Sequence, residues 1–80
     1  VFMNFKFWQN KSIVITGTSS GIGEAIMLSL KDSNIQIFAL DRAPKKIDFN
    51  HKAEIVQIKC DISNEKDVQL AANKILKSTD

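Results

Sequence analysis

Eighty residues with 44% apolar content, 25% charge and a net charge of +2 specify at most one ordinary domain. Eleven basic residues are interleaved with nine acidic ones, which excludes nucleic acid or an anionic membrane as the expected partner. The single cysteine, Cys60, has no intrachain disulfide partner, and no Cys/His spacing resembles a zinc site, so the chain suits a reducing interior such as the cytoplasm.

Two further counts are more specific. All three glycines, Gly17, Gly21 and Gly23, fall within one seven-residue window, which points to a specialised loop. The chain has no tyrosine, so none of its own serves as an acid or base.

Residues 1–10 read as an N-terminal arm. Phe5, Phe7 and Trp8 are expected to pack on the body of the domain, and Asn4 and Lys6 interrupt the apolar run before it reaches membrane-span or signal-peptide length. Met3 reads as a natural start.

Residues 11–80 hold the domain itself. Ser12-Ile-Val-Ile-Thr16 is a short β-branched run of the kind expected in a strand buried on both faces, as in a parallel sheet. From residue 22 to 31 the period changes to that of a helix. Ile22, Ala25, Ile26, Ser29 and Leu30 form one face, with Glu24 in the first turn and Lys31 in the last. Asp32-Ser-Asn34 stops it. Ile35 to Leu40 is a second strand closed by Asp41, and residues 42–52, with Pro44, read as a loop. Arg42, Lys45, Lys46 and Lys52, with His51 among them, make its basic patch, taken as a solvated surface. Glu54 to Cys60 is a third strand closed by Asp61. Ser63 or Asn64 caps a final helix whose face is Val68, Ala71, Ala72, Ile75 and Leu76. The order is β-α-β-loop-β-α, the mark of an α/β domain with a parallel sheet.

The glycines sit where the first strand meets the first helix, in Thr16-Gly-Thr-Ser-Ser-Gly-Ile-Gly23. A turn at that junction points backbone amides outward at a helix N-terminus, where unsatisfied donors and the helix dipole favour an anion. Gly17 permits the tight turn, Gly21 admits the backbone to a pyrophosphate, and Gly23 lets the helix pack close to the strand. Ser19 and Ser20 are assigned hydrogen bonds to the cofactor, and Ile22 belongs to the same turn. A triphosphate-binding loop needs four residues between its glycines and a lysine after the second; here three residues separate Gly17 from Gly21, and Glu24 follows Gly23. A glycine-bearing connection with no ligand is the plain alternative.

Two acids weigh against that alternative. Asp41 lies 24 residues after Gly17, near the offset at which a carboxylate meets both hydroxyls of a ribose. A 2′-phosphate there meets like charge, which favours NAD, while the guanidinium of Arg42 leaves NADP open. Asp61 closes the third strand at the same sheet edge, where it either accepts from an adenine amine or forms an Asx turn.

These segments resemble the short-chain dehydrogenase/reductases, in their ordinary, non-extended branch. Thr16 to Gly23 matches the family's T-G-x-x-x-G-x-G turn, Asp41 its ribose acid, and Cys60-Asp-Ile-Ser63 the segment whose aspartate meets adenine beside a backbone amide, here that of Ile62. The resemblance runs from Lys11 to Lys77 and implies the N-terminal β-α-β-β-α portion of a Rossmann-type doubly wound sheet. It implies hydride transfer between a nicotinamide cofactor and an alcohol or ketone, and a homo-oligomeric parent. The family's catalytic tyrosine, lysine, serine and asparagine have no counterpart in the chain, so no catalytic residue is carried over. The expectation is an N-terminal part of a dehydrogenase that lacks its catalytic half. The rivals are a free-standing nucleotide-binding or interaction module, and a site for another adenine ligand such as that of a nucleotide-dependent transferase.

Overall fold

The computed structural model describes residues 11–78, so the expected packing of Phe5, Phe7 and Trp8 lies outside the described residues. The elements are β1 (Ser12–Thr16), α1 (Gly21–Leu30), β2 (Gln36–Asp41), β3 (Glu54–Lys59) and α2 (Glu65–Ser78). The three strands form one sheet in the order β1-β2-β3, and both pairings are parallel. The fold is the α/β alternation expected from the sequence.

Register explains how two small cores arise from one sheet. Ile13 faces Ile37 and Ile37 faces Ile55 across the ladder, while Val14, Phe38 and Val56 make the next row. Successive side chains point to opposite faces. Ile15, Ile37 and Ala39 accordingly pack with Met27 and Leu30 of α1, and Phe38, Leu40 and Ile58 pack with Ala71 and Ile75 of α2.

The strand buried on both faces is β2, whose residues 37–40 are all buried. The sequence run Ile13-Val-Ile15 leads one to expect that position for β1. Instead β1 stands at the sheet edge, and α2 covers the opposite face over β2 and β3. Val14 is therefore 51% exposed.

The helical faces also differ from the periodic reading. In α1 the buried positions are Met27 and Leu30, while Ile22 is 80% exposed and Ala25, Ile26 and Ser29 are also exposed. The apolar stripe picked out by spacing borders an open groove of about 960 Å3 against Ile13, Val14 and Ile15 of β1. Periodicity finds an apolar face but does not say which of two such faces meets the core. Lys31 is the C-cap residue, not part of the last turn. In α2 the contact runs through Ala71 and Ile75, leaving Val68, Ala72 and Leu76 exposed.

The connection from Arg42 to Ala53 contains neither helix nor strand, as Pro44 suggests. It is tied at both ends: Gln57 Nε2 donates to the carbonyl of Lys45 at 2.7 Å, and the amides of Lys52 and Ala53 donate to that of Lys31 at 2.7 and 2.8 Å. Its basic residues are exposed.

Truncating the central strand is the sharpest test of this arrangement. Ile37→Ala should cost about 2–5 kcal/mol, a large part of what a domain of this size has, whereas Val14→Thr on the open face should cost under about 1 kcal/mol. Urea denaturation followed by circular dichroism measures both. Equal losses contradict the placement of β1 at the edge.

Candidate functional site

The carboxyl ends of three parallel strands converge on one edge of the sheet, and the ladder continues past them. The amide of Gly17 donates to the Leu40 carbonyl at 2.8 Å, and that of Cys60 donates to the Asp41 carbonyl at 2.9 Å. The glycine turn, Asp41 and the Cys60-Asp61 corner are thereby held side by side.

Gly17 and Gly21 adopt φ of +67° and +64°, conformations that L side chains rarely occupy, and open space lies where a Cβ would project at either position. Gly23 is different. A Cβ there would stand 2.5 Å from the Thr16 carbonyl oxygen and closer still to that of Gly17. Only a bare Cα lets α1 start this near the end of β1. Ser20, the N-cap, is extended at φ −165° and makes no side-chain hydrogen bond to the helix. The first-turn amides thus receive no side-chain cap, while the positive end of the helix dipole faces outward.

Asp41 is held through both carboxylate oxygens. Oδ2 accepts from the Ser19 amide at 2.9 Å and Oδ1 from the Ala43 amide at 2.8 Å. The Ser19 hydroxyl closes the ring by donating to the Ala43 carbonyl at 2.9 Å, and it accepts from the Lys45 amide at 3.1 Å. Each oxygen of Asp41 keeps a second lone pair. The Ala43 and Ser19 amides hold the Asp41 carboxyl below its ordinary 3.8.

At the third strand end, Asp61 forms the Asx turn that was one of its two readings. Its Oδ1 accepts from the Ser63 hydroxyl at 2.6 Å and from the Ser63 amide at 3.0 Å, and these bonds, the hydroxyl first, lower its pKa. Asn64 is the cap of α2, with Oδ1 accepting from the Asp67 amide at 3.1 Å. Arg42 contributes favourable charge to both Asp41 and Asp61. Burial pushes the Cys60 thiol up, consistent with a packing role.

Gly17, Asp41, Arg42, Asp61 and Ile62 line a cleft of about 390 Å3 together with Leu40, Cys60 and Ser63. Ile22 and Gly23 border the apolar groove beside β1, while Ser20 and Gly21, at the start of α1, line neither opening. Ser19 lines neither opening, and its hydroxyl is engaged by Ala43 and Lys45.

The profile of the family described as short chain dehydrogenase matches residues 11–80. The chain belongs to the short chain dehydrogenase family. Dehydrogenase RED2 of Cochliobolus heterostrophus is 35% identical over 68 residues, covering 85% of this chain and 26% of that protein. Farnesol dehydrogenase of Aedes aegypti is 32% identical over 68 residues, covering 76% of this chain and 28% of that protein. The chain therefore spans about a quarter of the length of these dehydrogenases. No solved structure gives a significant match.

Sequence reasoning missed the members of the site that depend on chain path. Thr18, only 4% exposed inside the turn, Ala43 and the Lys45 backbone carry no spacing signal. Local sequence accounts for Glu24 as a helix-start acid and as the residue after Gly23, yet its carboxylate pairs with Lys45 Nζ at 2.8 Å.

Two predictions follow the geometry of this dehydrogenase turn. Gly23→Ala should lose the turn, because the new methyl must displace backbone carbonyls; a stability equal to that of the parent chain contradicts the contact. The second concerns acid. A carboxyl whose folded value lies below its unfolded value gives its full stabilisation above the unfolded value and loses it as pH falls through the folded one. The Ser19 and Ala43 amide resonances should titrate with the Asp41 carboxyl, with a midpoint below its ordinary 3.8. A midpoint above 3.8 contradicts the bonds to Asp41.

Proposed function

We propose that this chain is the part of a nicotinamide-dependent oxidoreductase that holds the cofactor, with NAD preferred over NADP. The observation that carries the reading is the convergence of an open glycine turn, Asp41 and Asp61 around one cleft at the carboxyl ends of parallel strands. The residues present suit a dinucleotide: open space stands at Gly21, and Asp41 keeps two lone pairs at fixed positions.

In this reading the amides of the Ser20–Gly23 turn hold the pyrophosphate and Gly17 shapes the approach. Asp41 accepts from the 2′ and 3′ hydroxyls of the adenosine ribose. Asp61 and the Ile62 amide meet the adenine edge, where the outer oxygen of Asp61 can accept while Oδ1 keeps its Asx turn. Ser19 holds Asp41 in place, and so acts on the ribose from behind. Arg42 exerts a weak favourable charge on both carboxylates and stands beside the same cleft, which keeps NADP as the alternative cofactor. Bound NAD supplies the hydride acceptor for alcohol oxidation or, reduced, the hydride for a ketone. The alcohol and ketone class rests on the family resemblance and accords with the farnesol dehydrogenase relative. An acid/base tyrosine has no source in this chain, so binding without turnover is expected from these residues alone.

A second reading, an interaction module that pairs through β1, is favoured by the exposed Val14 and Ile22 beside that strand. It predicts concentration-dependent association without nucleotide.

Calorimetric titration with NAD and NADP tests the main reading. Asp41→Ala should weaken NAD by about tenfold or more, since two hydrogen bonds to a charged acceptor are lost, while sparing NADP. No heat with either dinucleotide from a folded sample overturns cofactor binding. Unchanged affinities in the variant remove Asp41 from the ribose site.

A further inference from the structure

Lys45 is the most heavily anchored member of the basic loop. Its amide donates to Ser19 Oγ at 3.1 Å, its carbonyl accepts from Gln57 Nε2 at 2.7 Å, and its ammonium meets Glu24 Oε2 at 2.8 Å. The glycine turn, β3 and α1 each hold one part of it. Its backbone therefore stands one hydrogen-bonded serine from the Asp41 carboxylate, because the same Ser19 donates its amide to Asp41 Oδ2 at 2.9 Å. The flexible four-carbon stem on that anchored backbone ends in a cation that, released from Glu24, has freedom to turn toward the Asp41 side of the turn.

We propose that Glu24 governs cofactor choice indirectly, by occupying the Lys45 ammonium that would otherwise serve a 2′-phosphate. The proposal rests on the ribose reading of Asp41. Two charge placements then favour a 2′-hydroxyl. Asp41 repels a 2′-phosphate directly, and Glu24 withholds a lysine that could offset that repulsion. Glu24 is a positioning residue, since it acts through Lys45 and has no required contact with the cofactor. The pair is electrostatically matched: the Glu24 carboxylate, through its hydrogen bond and then its charge, raises the Lys45 pKa. It is also reversible, because the Lys45 side chain is 62% exposed and that of Glu24 33%, so water can replace either partner. An exposed pair of this kind tunes a preference by a modest factor and does not abolish binding.

The probes are 5′-AMP and adenosine 2′,5′-bisphosphate, which differ only in the 2′-phosphate, titrated against the full chain at low ionic strength. The parent chain should prefer 5′-AMP. Glu24→Gln should narrow that preference about fivefold, by tightening the bisphosphate more than the monophosphate. The double variant with Lys45→Met should restore the parent ratio, and added salt should erase the gain of the single variant. A ratio unchanged by Glu24→Gln, with 5′-AMP still bound, overturns the proposal and leaves the cofactor reading standing. Equal tightening of both probes also overturns it, because Glu24 would then act on the helix N-terminus and not through Lys45. If the folded parent chain binds neither probe, the cofactor reading and this proposal fall together.

Discussion

The close approach of α1 to the end of β1 is the constraint on which the site depends. At Gly23 the helix backbone lies so near the Thr16 and Gly17 carbonyls that no side chain fits between them. That contact sets where the helix begins, and with it the direction of its first-turn amides. Gly17 and Gly21, both at positive φ, let the chain leave the strand and enter the helix within the short span available. The loop from Ser19 then reaches β2, where its amide and hydroxyl bind Asp41 and Ala43. Turn, helix and the Asp41 carboxylate are consequently tied together at one corner of the sheet.

The element order was legible because strand and helix periods differ so sharply, and Ser12–Thr16 coincides with its sequence reading. Burial was less legible. Ile13-Val-Ile15 looks like a central strand by composition, but composition does not say how many strands lie beyond it. Among the described residues β2 has neighbours on both sides and β1 has one. The same reason accounts for α1. Its Ile22 and Ile26 share a face with Ala25, yet Met27 and Leu30 meet the sheet, so one helix carries two apolar surfaces. The second surface and Ile13, Val14 and Ile15 of β1 border the same groove.

The candidate site divides along the same line. Glycine spacing, a strand-closing Asp41 and a strand-closing Asp61 are local signals, and local signals survive in a sequence. Ser19 was legible as a member of the turn but not in its partner, because which carbonyl its hydroxyl meets depends on the path of residues 42–45 through space. The Glu24–Lys45 pair is the extreme case. Each residue has a sufficient local explanation, one as a helix-start acid and the other as part of a basic loop, and only tertiary structure joins them. The candidate site lies where these nonlocal ties cross the strand ends.

A nitrogen-15 chemical-shift map of the chain on addition of NAD tests the central claim most directly. The account places the perturbed amides at Gly17 to Gly23, Asp41 to Ala43 and Asp61 to Ile62, with the opposite strand ends at Ser12, Gln36 and Glu54 unmoved. Perturbations centred on those opposite ends, or saturable shifts that bypass the glycine turn, would contradict it.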